Sequence, residues 1–132
     1  MFGLIFDMDG VLADTERLSE QASIKMFKEL YNTDVEAEDF HPFIGTGAVR
    51  YIEGVAERYE LTIDTERAVA ERQDNFEALL QHGESIAFPG VHELIETVKN
   101  AATWKLAIAT SSPGGKAGLT IKAARINLDD FQ

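Results

Sequence analysis

The chain opens on a short apolar run, Phe2 to Phe6, followed at once by polar residues. A run of that length reads as a buried strand over Gly3 to Phe6. From Asp14 or Thr15 the period lengthens to that of a helix. Ile24, Phe27 and Tyr31 mark one face, and Leu18, Ala22, Met26 and Leu30 a neighbouring one, so this helix is expected to pack on two sides. Asp14 suits its N-cap. The acidic stretch from Asn32 to Pro42 is expected to be a loop. Val49, Ile52, Val55, Ala56 and Tyr59 recur at helical spacing, as do Val69, Phe76, Leu79 and Leu80 in a third helix from Asp64 to Gln81 that Gly83 stops. Val91, Leu94, Ile95 and Val98 give an i, i+3, i+4, i+7 stripe. A strand is predicted from Trp104 to Ala109, with Trp104 in the core, and then a helix opened by Pro113-Gly114-Gly115 and carrying Leu119, Ile121 and Ala124. Strand, helical insertion, helix, strand and helix make an interrupted α/β pattern. The boundaries predict a core of residues 1–14 and 87–132 around an all-helical insertion of residues 15–86.

The candidate chemistry sits at the two strand ends. Asp7 and Asp9 flank Met8 where the first strand stops, and Gly10 lets the backbone turn. Alternation sends side chains i and i+2 to the same side of an extended chain, so both carboxylates are expected to face one small site. Two like charges that close are costly without a shared proton or a cation. A hard divalent ion with oxygen ligands, Mg²⁺, offsets them, with Asp7 and Asp9 as its ligands. Thr110 lies at the carboxyl end of the second strand, where open α/β sheets bind ligands. Its hydroxyl and the Ser111 N–H suit phosphate oxygens, and the following helix N-terminus adds a favourable dipole. Ser112 suits the N-cap of that helix.

Other motifs carry less. Ser111 to Lys116 resembles a nucleotide P-loop only superficially, because it lacks the leading Gly and the Ser or Thr after Lys116. Gly45-Thr46-Gly47 precedes the second helix, and Arg50 nearby is suited to an anionic substrate group; a helix-start turn and a surface arginine are the plainer alternatives. His41, His82 and His92 do not fall at metal-ligand spacing.

Net charge narrows the partners. The 132 residues carry 23 acidic against 12 basic side chains, a net charge of −11, and no Lys/Arg stripe that would neutralise a nucleic-acid backbone. Nucleic acid is therefore not an expected partner. Nor is a membrane, since no apolar run approaches the ~20 residues of a span. The absence of Cys excludes disulfides and thiolate metal sites, and fits a reducing, cytoplasmic setting.

These motifs together resemble a known family. Asp7-Met8-Asp9-Gly10-Val11-Leu12 is similar to motif I of the haloacid dehalogenase-like (HAD) phosphotransferases, and Leu106 to Ser112 to motif II. Asp14-Thr15-Glu16 resembles the acidic hinge before the helical cap of the β-phosphoglucomutase-like subgroup, and Phe88-Pro89-Gly90-Val91 the return from that cap. The resemblance implies a Rossmannoid α/β core with an inserted helical cap. It implies Mg²⁺-dependent hydrolysis of a small phosphorylated metabolite, with Asp7 as nucleophile, Asp9 as general acid and base, Thr110 and Ser111 on the phosphate, and Gly45, Thr46, Gly47 and Arg50 facing substrate from the cap.

Ser19 stands where the mutase pattern has a His, which favours hydrolysis over the phosphosugar mutase alternative. The chain ends before any match to the motif III lysine or the motif IV acids. Lys116, Lys122, Asp129 and Asp130 are the nearest substitutes. The expectation is therefore a partial core with a bare strand edge and a bare sheet face. Such a core is either completed by a missing C-terminal segment or second chain, or is an inactive fragment or interaction module.

Overall fold

The computed structural model of the chain describes residues 1–131. It divides into two units, one of Met1–Glu16 with Leu80 onward, the other of Arg17–Leu79. The element order is β1 (Phe2–Asp7), α1 (Thr15–Tyr31), a 3₁₀ segment (Ala37–Phe43), α2 (Ala48–Arg58), α3 (Thr65–His82), α4 (Val91–Lys99), β2 (Trp104–Ala109), α5 (Gly114–Ala123) and a final 3₁₀ turn (Leu128–Asp130). The chain has the mixed α/β architecture expected of it.

In the first unit β1 and β2 pair in parallel, in register from Phe2 opposite Trp104 to Asp7 opposite Ala109. Alternation sorts the side chains onto two faces. Phe6 and Leu106 lie on one face and are buried, and α4, with Val91 and Ile95 buried, packs on β2. The other face carries Gly3, Ile5 and Asp7 beside Lys105, Ala107 and Ala109. Ile5 is 69% exposed in mid-strand there, so among the described residues this face is left open around it. Among the described residues the sheet has two strands, so each strand keeps an unpaired edge.

The chain leaving β1 meets the chain that returns to this unit. Asp14 N–H donates to the Ile86 carbonyl at 2.8 Å and Phe88 N–H to the Leu12 carbonyl at 3.2 Å, around an Ala13–Ala87 bridge. Near the C-terminus, Lys99 on α4 pairs with Asp130 at 2.6 Å, and the Phe131 ring meets Phe6 edge-on at 6.4 Å. The Asp130 hydrogen bond is the main reason that the Lys99 ammonium is held above its ordinary pKa.

The second unit is helical, with a core of Met26, Phe27, Val35, Phe40, Tyr51, Ile52, Val55, Ala56 and Ala68. Phe40 corrects the expected loop. It is wholly buried on the 3₁₀ segment, with ring centroids 6.2 Å from Phe27 and 4.9 Å from Tyr51. An isolated aromatic among acids has no periodicity to announce it. Trp104 is a second correction: it is 41% exposed, stacked on Phe2 at 5.1 Å at the open end of the sheet rather than in the core. The buried Arg72 donates to the Ser23 and Ser19 hydroxyls at 3.0 Å each and lies over the Tyr51 ring. Burial of a cation is tolerable only with such partners.

Two measurements test this packing. Ile5→Thr, which keeps a β-branched residue on a bare face, should change stability by less than about 0.5 kcal/mol. Leu106→Ala, on the covered face, should cost about 2–5 kcal/mol in urea denaturation. Equal costs would mean that the Ile5 face is covered.

The second test concerns pH. The Tyr59 hydroxyl hydrogen-bonds to Asp39 and holds that carboxyl below its ordinary 3.8, aided by the Glu36 N–H and Arg58 against the opposing effect of burial. The same bond, with burial and the Asp39 charge, pushes the Tyr59 phenol above 10.0. The depressed carboxylate contributes stability above pH 3.8 that is lost as pH falls through its lowered value. The raised phenol contributes stability below pH 10 that is lost as pH rises through its raised value. Stability of the helical unit, followed by urea melts across pH, should therefore fall at both ends, and Tyr59→Phe should flatten both limbs.

Candidate active site

Asp7 is the last residue of β1 and is exposed; its Oδ1 accepts the Met8 N–H at 2.8 Å. Met8 itself is buried and its carbonyl accepts from the N–H groups of Val11, Leu12 and Ala13, at 3.3, 3.0 and 3.1 Å. Gly10, at φ 77°, makes the turn that those bonds close; this left-handed conformation is costly for a residue with a Cβ. A tight loop thus follows the strand and brings Asp9 back beside Ala13.

The Asp9 carboxylate is held at both oxygens. Thr15 Oγ donates to Oδ1 at 2.9 Å, and Ser112 Oγ donates to Oδ2 at 2.8 Å. Thr15 is buried at the first position of α1. Ser112 comes from the loop after β2, more than a hundred residues along the chain. The parallel register explains the meeting: Asp7 lies opposite Ala109, so both strands end on the same side and their following loops leave together. In that loop the Ser112 N–H donates to Thr110 Oγ at 3.1 Å, which leaves the Thr110 hydroxyl proton free for another acceptor. Thr110 and Ser111 are both exposed.

The N-cap of α5 is Pro113, whose side chain makes no capping hydrogen bond, and the helix opens on Gly114 and Gly115, both exposed, at the end where an anion is favoured. Ser112 was expected at that cap; its hydroxyl donates to Asp9 Oδ2 instead. Thr15 likewise stood in a hinge motif without a part in the site. A hydroxyl a few residues past a tight Asp-Gly turn is a local signal for such a contact, whereas nothing local points to Ser112.

Gly45, Thr46, Gly47 and Arg50 belong to the helical unit, where Gly47 is the N-cap of α2 and Arg50 pairs with Glu57 at 3.0 Å beneath the Phe43 ring. Asp130 is engaged by Lys99. A cavity of about 510 Å³ opens beside α5, lined by Leu80, Gly83, Leu119, Lys122 and Arg125 among others; of the residues singled out for chemistry in the sequence it includes Lys122 but not Asp7, Asp9, Thr110 or Ser111.

The family described as haloacid dehalogenase-like hydrolase matches residues 4–130. The chain belongs to it. Two curated proteins are similar to this HAD-like chain. The phosphorylated carbohydrates phosphatase of Thermotoga maritima is 37% identical over 121 residues, covering 86% of the chain and 51% of that protein. The chloroplastic protein SUPPRESSOR OF QUENCHING 1 of Arabidopsis thaliana is 35% identical over 130 residues, covering 97% of the chain and 12% of that protein. Among solved structures, a candidate β-phosphoglucomutase from Thermotoga maritima superposes with a TM-score of 0.79 at 27% identity, covering 100% of the chain and 59% of that structure. The chain thus spans about half of the curated phosphatase, and a smaller part of the chloroplast protein.

Family members of this kind generally use Mg²⁺, and the donor chemistry here suits a hard cation in part. The Asp7 carboxylate stands exposed at the strand end. Both oxygens of the Asp9 side chain are taken by hydroxyls, so Asp9 is left to contribute through its backbone carbonyl. Among the described residues no three His, Cys, Asp or Glu side chains form a metal-holding group. Mg²⁺ commonly keeps several waters and uses one or two carboxylates plus phosphate oxygens, so this donor set fits as part of a coordination shell.

Proposed function

We propose that this chain carries the nucleophile and phosphate-binding half of a phosphatase that acts on a small phosphorylated metabolite through an aspartyl-phosphate. The observation that carries this reading is the shared strand-end register of Asp7 and Ala109, with Asp9 tied to the loop that holds Thr110. Two carboxylates, a threonine hydroxyl and an uncapped helix N-terminus at one sheet end form a set suited to a phosphoryl group. The name of the Thermotoga phosphatase supports a phosphorylated carbohydrate as the substrate class.

In this mechanism the Asp7 carboxylate attacks phosphorus and the bond from phosphorus to the ester oxygen breaks. Asp9 gives its proton to the departing oxygen. Asp9 then takes a proton from water as that water attacks the aspartyl-phosphate, and the bond from phosphorus to Asp7 breaks. Inorganic phosphate leaves and Asp7 is restored. The Thr110 hydroxyl, the Ser111 N–H and the Gly114 and Gly115 amides at the start of α5 hold the oxygens of the transferring group. The Asp7 carboxylate and the Asp9 carbonyl would hold Mg²⁺, which would supply charge neutralisation at the phosphoryl oxygens. The helical unit is the cap in this reading, with Gly45, Thr46, Gly47 and Arg50 facing substrate. Cysteine-free composition suits a reducing cytoplasm. Among the described residues no helix is long and apolar enough to cross a membrane.

The bare face around Ile5 favours a second component of the reading. An exposed aliphatic residue in mid-strand, with an open edge on each side, invites further strands and a covering layer. We read residues 1–132 as a partial core that becomes fully competent when a following segment or a partner chain completes it. Hydrolysis is favoured over mutase chemistry by Ser19, whose hydroxyl accepts from Arg72 inside the helical unit.

Two variants test the reading. With p-nitrophenyl phosphate and Mg²⁺, Asp7→Asn should abolish whatever turnover the protein shows, because it keeps the shape and removes the nucleophile; near-normal turnover by this variant would overturn the assignment. Thr110→Val removes one hydroxyl from a charged ligand and should weaken inorganic phosphate by about 1.5–3 kcal/mol, roughly ten- to a hundredfold. Unchanged affinity in calorimetry would leave Thr110 as a loop residue only.

A further inference from the structure

We propose that Ser112 is a positioning residue that ties the Thr110 phosphate loop to the Asp9 carboxylate. The inference rests on the phosphatase reading and deepens it by giving a role in the site to Ser112, which was expected only to cap a helix. Ser112 touches both parts of the site. Its hydroxyl donates to Asp9 Oδ2 at 2.8 Å and its backbone N–H donates to Thr110 Oγ at 3.1 Å. Thr15 holds the other Asp9 oxygen at 2.9 Å but stands only six residues away in the chain, so it reports nothing about β2. Ser112 is the long-range tie, across 103 residues.

The geometry has a chemical use. A carboxylate on two rotatable bonds samples several orientations in water. Donors on both oxygens select one. Ser112 can keep donating to Oδ2 whether or not the other oxygen carries a proton, because a carboxylic acid retains acceptor capacity. Asp9 can then keep its aim through a proton transfer while the phosphate is held two residues from the tie. The hydroxyl is also spared from its ordinary duty: α5 begins at Pro113 without a side-chain cap, so helix stability does not depend on Ser112. Ser112 is half-buried in a loop, and its substitution should leave the fold intact.

The test uses residues 1–132 and the variants Ser112→Ala and Ser112→Thr. Vicinal couplings between the α and β protons of Asp9 report its rotamer, and the Thr110 amide signal is followed on titration with inorganic phosphate and Mg²⁺. The wild type should show one Asp9 rotamer. Ser112→Ala, which keeps the N–H to Thr110, should show averaged couplings while phosphate affinity stays within about twofold. Ser112→Thr should restore the single rotamer. A merely structural loop residue would not produce that split or that rescue. Asp9 couplings that stay unaveraged in Ser112→Ala overturn the proposal while leaving the phosphatase reading standing. A Thr110 signal that inorganic phosphate does not move in the wild type overturns the reading itself, and the proposal with it. Should Ser112→Ala fail to fold, the nearly isosteric Ser112→Cys, a weak donor, takes its place and should also average the rotamer; an unaveraged Asp9 there overturns the proposal equally.

Discussion

The parallel pairing of β1 with β2 is the contact on which the candidate site depends. It aligns Asp7 with Ala109 and so delivers the two strand-end loops to one place, although they lie a hundred residues apart. Parallel strands cannot be joined by a tight turn; they need a crossover. Here the crossover contains a helical unit with its own core, and the chain returns to the sheet where Asp14 and Phe88 bond to Ile86 and Leu12. A register slip of one residue would turn Phe6 outward and Ile5 inward, and would separate Asp9 from Ser112. Apolar burial of Phe6 and Leu106 on one face therefore holds the polar chemistry in register at the end of the same strands.

That burial is one-sided. Two strands with one covered face make a marginal sheet. The tail compensates in part: Asp130 pairs with Lys99 and Phe131 meets Phe6, drawing the last described residues back onto the core. The Phe2–Trp104 stack covers the far end of the ladder. Neither covers Ile5. The share of each relative that the chain spans, 51% of the Thermotoga phosphatase and 59% of the superposed structure, agrees with a core that has more to it in those proteins.

Hydroxyl groups meet three of the charged side chains held below the surface. Asp9 is met by Thr15 and Ser112, Arg72 by Ser19 and Ser23, and Asp39 by Tyr59. A hydroxyl satisfies a charged group without adding a countercharge, which suits a chain already carrying a net −11. In the helical unit these contacts tie helices together. At the strand ends they orient a carboxylate.

The α/β class, the order of the elements and the residues at the strand ends were legible in the sequence, because each rests on a local pattern. A short apolar run stops at an Asp-x-Asp-Gly turn, and helical stripes have a fixed period. The strand from Trp104 to Ala109 has the predicted bounds, whereas β1 extends one residue beyond its predicted run at each end. What local pattern could not supply was decided by packing. Phe40 is buried because two helices leave an aromatic-sized space for it, not because of its neighbours in sequence. Trp104 is exposed because it stands at the end of the ladder, stacked on Phe2. Ser112 leaves its expected cap for Asp9 because the sheet register brings a carboxyl acceptor within reach across the whole crossover. Period and turn chemistry act over a few residues and can be read from them. Which polar groups meet across a hundred residues is decided only when the hydrophobic face has chosen its register.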